Sequence, residues 1–263
     1  MSRPKNLITG NSRREERLAQ NRLQGRIANA IASSFQREIS GAMRKMADQY
    51  EDQGTDITLA TSIPKHQSSL EELAREEWYK AARMAGDRIL GVAKCMHGKH
   101  FIRKNEPEDR FEELIDNFIR GTAIARIAGV ASTTLDDVRR RIARGEAEGL
   151  TVDEIARNLR QSAPGLATSR AMMIARTESH SAYNMGTQFA SMSSELDLRK
   201  EWISSADERT RDNEFDHVAA DGETVDLEEA FINTGEALMF PGDPTGSAGN
   251  VVYCRCGRGD VLA

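Results

Sequence analysis

Apolar residues recur at three- and four-residue spacings over most of the chain, so the pattern predicts helices first. From Glu15 to Tyr50, Leu23, Ile27, Ile31, Phe35, Ile39, Ala42 and Met46 fall on one face of a long helix. Glu51 to Ser69 gathers Asp52, Gly54, Thr55, Asp56, Thr58, Ser62 and Pro64, all turn formers, and reads as a long loop. A second helix is expected from Ser69 to Lys94 (Leu70, Leu73, Trp78, Ala81, Ala85, Ile89, Val92), with Ser69 and Glu72 at capping-box spacing. A third fits Glu108 to Ala128 through Phe111, Leu114, Ile115, Phe118 and Ile119. Shorter helices follow at Thr134 to Arg144 and at Thr151 to Arg160, the latter opened by Thr151 and Glu154. Ser162, Pro164 and Gly165 then mark a break before a long helix from Thr168 to Ser193.

After Leu198 the texture changes to tight-turn signals (Asp221-Gly222, Pro241-Gly242) between short apolar runs. Strands are expected at Trp202-Ile203, Leu238-Met239-Phe240 and Val251-Val252-Tyr253. The fold class is therefore α+β: an elongated helical N-terminal region, then a small α+β C-terminal domain with a long helix packed on a short-stranded sheet. The expected organisation is a basic N-terminal arm (1–26), a helical region (27–149) and a C-terminal domain (150–263).

Charge divides the chain further. Residues 1–150 carry 26 basic against 22 acidic residues and residues 151–263 carry 10 against 19, so the C-terminal domain repels phosphate. Within the arm, Arg13, Arg14, Arg17, Arg22 and Arg26 face only Glu15 and Glu16. Such an arm either contacts nucleic-acid phosphates or another protein, or is a solvated tail. No apolar run approaches the ~20 residues of a membrane span, and Met1 to Asn11 lacks the basic-then-apolar order of a secretory signal. Three cysteines are too few for a disulfide framework.

Four blocks in fixed order make the C-terminal part specific. They are Ala175-Arg176-Thr177-Glu178 with Ala182-Tyr183-Asn184-Met185-Gly186, then Lys200-Glu201-Trp202-Ile203-Ser204-Ser205-Ala206-Asp207-Glu208-Arg209-Thr210-Arg211, then His217 with Asp221-Gly222, and finally Phe240-Pro241-Gly242-Asp243-Pro244 leading to Tyr253-Cys254-Arg255-Cys256. Over about residues 168–258 this resembles the phage head-morphogenesis family, the Mu F-like minor head proteins. The resemblance implies a minor capsid protein of a tailed phage, inside the head at the portal vertex. Its implied role is head assembly, with genome packaging or ejection as further roles. Implied partners are the portal protein, scaffolding or major capsid protein, and packaged DNA through the N-terminal arm, with no membrane and no enzymatic activity. Localisation would be the capsid interior, with host cytoplasm during assembly. One departure is that six residues follow Arg211 to reach His217, where relatives have about three, which places an insertion in that loop.

The chemistry-bearing residues admit two readings each. His217, Cys254 and Cys256 have the donor types zinc prefers, with Asp207, Asp216 or Asp221 as the fourth ligand to be found. The favoured reading makes the cysteines small buried residues on a terminal strand and His217 a loop residue, with no cofactor. The alternative function is a small zinc-dependent hydrolase or nuclease using the same three residues, with Glu214 or Asp216 as general base. Cys95, His97 and His100 read as a connector. Arg176, Glu178, Asp207, Arg209 and Arg211 are expected to form a structural ion-pair network locking the long helix onto the sheet.

Overall fold

The computed structural model describes residues 13–53, 55–97 and 106–263. In chain order it contains α1 (Arg13–Gln53), α2 (Thr55–His97), α3 (Glu106–Phe118), a π-helical turn (Ile119–Ala123), α4 (Ile124–Ala147), α5 (Val152–Ser193), β1 (Leu198–Ile203), β2 (Thr224–Asp226), α6 (Ala248–Val251) and β3 (Gly257–Leu262). Long helices followed by a small antiparallel sheet are the α+β class read from the sequence.

The helices are longer than their sequence punctuation suggests. The residues expected to form a loop over Glu51 to Ser69 are largely helical: α1 runs to Gln53, and α2 begins at Thr55 and passes through Pro64 and Ser69. Ser69 is thus interior to a helix and caps nothing. From Thr55 onward Leu59, Ile63, His66 and Leu70 keep a helical period in the sequence once His66 counts among its positions. His66 is buried, and that burial lowers its pKa to about 4, so at neutral pH it packs as an uncharged side chain.

The third helix and the one expected at Thr134 are likewise one rod, carried across Ile119–Ala123 by a π turn. The polar stretch that suggested a break is accommodated by Thr133, whose hydroxyl donates to the Gly129 carbonyl at 2.7 Å. Pro164 does not end α5 either. Ile155, Leu159, Ala163, Ala167, Ala171 and Ile174 are all buried at three- and four-residue spacing, and this packing outweighs a proline penalty of about 3 kcal/mol. The start of α5 is as the sequence indicates: the Thr151 N–H donates to Glu154 Oε2 at 2.8 Å and the Glu154 N–H to Thr151 Oγ1 at 3.3 Å.

The chain packs as two compact units. One comprises Ala28–Glu76 and Ala123–Ala175. In it Phe35, Ile39, Met43 and Met46 of α1 are buried, as are Val138 and Ile142 of α4 and the small-residue seam of α5. Gln36 donates to Thr168 at 2.8 Å and Arg160 to Asp48 at 2.8 Å.

The other unit comprises the described parts of Met1–Ile27, Glu77–Thr122 and Arg176–Ala263. Its sheet has the order β2-β1-β3, all antiparallel, with Trp202 opposite Arg258 and Lys200 opposite Asp260. Of the three expected strands only Trp202-Ile203 is one. Leu238 makes a single bridge to Phe231, and Val251 ends the short α6. The terminal strand expected at the two cysteines lies just beyond them, as β3, whose Gly-Arg-Gly-Asp start lacks β-formers and whose interior is ionic instead.

Lys200, Arg258 and Asp260 are almost fully buried on one face of the sheet. Arg258 pairs with Asp260, Ser191 of α5 donates to Asp260 at 2.8 Å, and Lys200 donates to the Met239 carbonyl at 2.8 Å. An apolar hub centres on Phe118, whose ring lies 6.1 Å from Trp78, 5.6 Å from Phe189 and 5.9 Å from Phe240. Gly186 lets α5 approach α2 closely, since a Cβ there would sit 2.3 Å from the Ala82 carbonyl oxygen.

Gly186→Ala is accordingly expected to destabilise the protein by about 1–3 kcal/mol through backbone displacement, read as a lower denaturation midpoint at unchanged slope. Lys200 supplies a pH signature. Burial, with the Arg258 charge next, lowers its pKa to about 7. Between about 7 and the unfolded value the unfolded chain binds more protons, so stability rises with pH over that window. Lys200→Met should flatten this rise and stabilise the protein most below pH 7, measured by chemical denaturation at a series of pH values.

Candidate metal centre

The segment after α6 is shaped to aim two thiols the same way. Tyr253 adopts a left-handed backbone (φ 60°), which turns the chain toward β3. Cys254 to Cys256 is irregular and precedes β3, so the cysteines do not lie on the terminal strand as expected. Alternation still operates: Cys254 and Cys256 are buried, while Arg255 between them turns outward to grip Asp207 with two hydrogen bonds of 2.6 Å.

His217 meets both sulfurs. Its ring packs edge-on against Trp202, with centroids 5.3 Å apart, and Nε2 lies 2.6 Å from Asn250 Oδ1. Asn250 is itself oriented, because its Nδ2 donates to the Thr234 carbonyl at 3.2 Å and to Glu236 Oε2 at 3.0 Å. Its Oδ1 therefore accepts, His217 donates from Nε2, and Nδ1 is left facing Cys254 Sγ at 3.6 Å and Cys256 Sγ at 3.4 Å. The three donor atoms lie within 4.8 Å of one another and all three residues are buried.

The electrostatics split the thiols. Burial pushes Cys254 up, but its hydrogen bond with Cys256, the charge and hydrogen bond of His180 and the hydrogen bond of His217 together carry it well below the ordinary thiol value. Cys256 moves the other way, raised by burial and by Cys254. For His217, burial acts downward, yet Cys254 and Asn250 bring it above its usual value.

Sequence reasoning missed His180 and Asn250. His180 is buried on α5, with Nδ1 3.1 Å from Gln24 Oε1 and Nε2 3.3 Å from Asn184 Nδ2, and it is among the groups that lower the Cys254 thiol. Its seat is shaped by Gly242, in a left-handed conformation (φ 81°), where a Cβ would come within 2.6 Å of the imidazole. Asn184, one turn on, donates to the Pro241 carbonyl at 3.0 Å and reaches the Cys256 carbonyl at 3.4 Å. The available signal was the run Thr177 to Ser181, a polar stretch within a helix flanked by apolar Ala175 and Ala182.

The carboxylates considered as a fourth ligand are engaged elsewhere. Asp207 holds Arg255, Asp216 accepts from the Ala219 N–H at 2.7 Å, and Asp221 accepts from Arg13 and from the Ser204 N–H, each at 2.8 Å. The five residues expected as one ion-pair network are dispersed. Arg176 and Arg209 are exposed, Glu178 accepts from Trp78 Nε1 at 3.2 Å, and Arg211 donates to the Val252 carbonyl at 2.5 Å. Arg13 is instead the cation that ties helix to sheet, 2.8 Å from Glu201 of β1 and from Asp221, with Arg17 3.8 Å from Asp221. Cys95 is exposed near the end of α2; the His97 side chain and His100 lie outside the described residues.

Residues 136–258 match the family model for Phage Mu protein F like protein, which bears out the resemblance over that segment and begins it earlier than residue 168. No curated protein and no solved structure matches the chain. The matched segment includes α5 from its first turn, the sheet's central strand, His217 and both cysteines.

Because the Asp207–Arg255 pair is partly exposed (44% and 32% of the side chains), Asp207→Ala is expected to cost only about 1 kcal/mol or less. Arg13→Ala should cost more, since it leaves the buried Glu201 without its cation. Thermal denaturation of the two variants side by side checks the order.

Proposed function

We propose that this chain is a minor protein of a tailed-phage head, acting in head morphogenesis from the capsid interior at the portal vertex. The observation that carries the reading is the match of residues 136–258 to the Mu F-like family. Portal contact, packaging and ejection are the finer parts of the proposal. The division of charge supports it, since an acidic C-terminal segment stays off packaged DNA while α1 offers cations. Among the described residues no helix is long and apolar enough to cross a membrane.

The geometry narrows which arginines can serve. Arg13 and Arg17 face acidic groups of the same unit, whereas Arg14, Arg22 and Arg26 are exposed and, at spacings of eight and four, share one stripe of α1. That stripe is the proposed contact with DNA or portal. For the hydrolase or nuclease alternative a general base is needed at the cysteine–histidine cluster, and neither proposed carboxylate suits: Glu214 is exposed and Asp216 caps a turn. The reading adopted is therefore non-enzymatic.

Quantitative mass spectrometry of purified virions, with portal pull-down from the same lysate, tests the proposal. The chain is expected in few copies per particle and in the portal fraction; its absence from particles would overturn the reading. If the stripe contacts DNA, replacing Arg14, Arg22 and Arg26 with Glu should reduce the salt slope of DNA binding by roughly one unit per arginine without lowering thermal stability.

A further inference from the structure

We infer that Cys254, Cys256, His217 and His180 form a structural zinc site of the Cys2His2 type, in which the two cysteines bind as thiolates, His217 binds through Nδ1 and His180 closes the shell. The inference concerns the chain's own architecture and does not depend on the head-protein reading.

The first argument is metric. Zinc–sulfur and zinc–nitrogen bonds arranged tetrahedrally put neighbouring S and N donors about 3.5 Å apart. Nδ1 of His217 lies 3.6 and 3.4 Å from the two sulfurs, so three corners of the tetrahedron are already in place. The second is orientation. Ligating imidazoles donate their other ring N–H to a fixed acceptor, and Asn250, locked by Thr234 and Glu236, is that acceptor here.

The fourth corner follows from elimination and proximity. Asp207, Asp216 and Asp221 are committed to other partners, as described above. His180 is buried and acts electrostatically on the Cys254 thiol; its Nδ1 lies 3.1 Å from Gln24 Oε1 and its Nε2 3.3 Å from Asn184 Nδ2, and Nε2 is the nitrogen assigned to the metal. His180 lies outside the three-residue cluster whose donor atoms are all mutually close. Closing the shell therefore requires the His180 ring to turn so that Nε2 exchanges the Asn184 amide, 3.3 Å away, for the metal. All four side chains are buried, as a closed structural site requires, and soft thiolates with imidazole select zinc over magnesium or calcium.

The ion would join three segments: α5, the loop carrying His217, and the Cys-Arg-Cys turn. Because a site assembled from distant segments does not exist in the unfolded chain, zinc affinity here is folding stability.

The test uses the full chain purified without chelator. Elemental analysis should find about one zinc per chain, and X-ray absorption at the zinc edge should show two sulfur and two nitrogen neighbours. His180→Ala should weaken zinc binding by about 100-fold or more, and Cys254→Ser with Cys256→Ser should abolish it, while Cys95→Ser leaves it intact. A zinc-free wild type that also fails to take up added zinc overturns the inference. A shell of two sulfurs, one nitrogen and one oxygen, or unchanged affinity in His180→Ala, overturns the assignment of His180. Should the cysteine variants not fold, the absorption spectrum of the wild type, and the visible bands of its cobalt-substituted form, decide the matter alone.

Discussion

The C-terminal half of α5 imposes the governing constraint on its unit: it is buried nearly all round and yet polar. Thr177, Glu178, Ser179, His180, Ser181, Asn184, Thr187, Gln188 and Ser191 are all buried. Within the helix their hydroxyls can fold back on the preceding turn, as Ser181, Thr187 and Ser191 do. The longer side chains need partners from elsewhere, since each unmet polar group costs on the order of 1–3 kcal/mol. Those partners come from loops, with Ser181 on Gly242, Asn184 on Pro241 and Gln188 on Leu227, and from the sheet, with Ser191 on Asp260. The irregular chain after β1 is thus fixed in place by a helix that demands hydrogen bonds.

The same logic accounts for the ionic interior of the sheet. Arg258, Asp260 and Lys200 occupy positions where strands of small domains usually carry valine or isoleucine, because the helix surface they meet is hydroxylated. Apolar packing is concentrated elsewhere, around Phe118 and around Trp202 with Phe231, Leu238, Ala220 and the two cysteines. His217 stands at the boundary of the two textures, its ring face given to Trp202 and its nitrogens to Asn250 and the sulfurs.

Much of this was legible in the chain and some was not, for identifiable reasons. Helical periodicity found α1 and most of α2, and the Thr151 capping box found the start of α5 within a residue. Ser162, Pro164 and Gly165 read as a break that α5 does not make, because local propensity is weaker than a continuous buried seam, and the interval between Ala128 and Thr134 is helical as well. The site was half legible. His217, Cys254 and Cys256 stand out by residue type, but His180 is indistinguishable in sequence from a surface helical histidine until its neighbours are known. Charge pairing was the least legible, since which arginine meets which carboxylate is decided by distance in space: Arg13 and Glu201 are separated by more than two thirds of the chain.

That separation bears on how the protein comes into being. One compact unit is assembled from the beginning of α1, the middle of the chain and everything after Arg176, so none of it can be completed while the ribosome is still making the last strand. Gln24 and Gln20 must stay solvated until His180 and the carbonyl of Arg258 exist to receive them. The sheet under the first turns of α1 is complete only when β3 pairs with β1. Folding of this unit is consequently dominated by contacts between remote parts of the chain, a slow class of reaction.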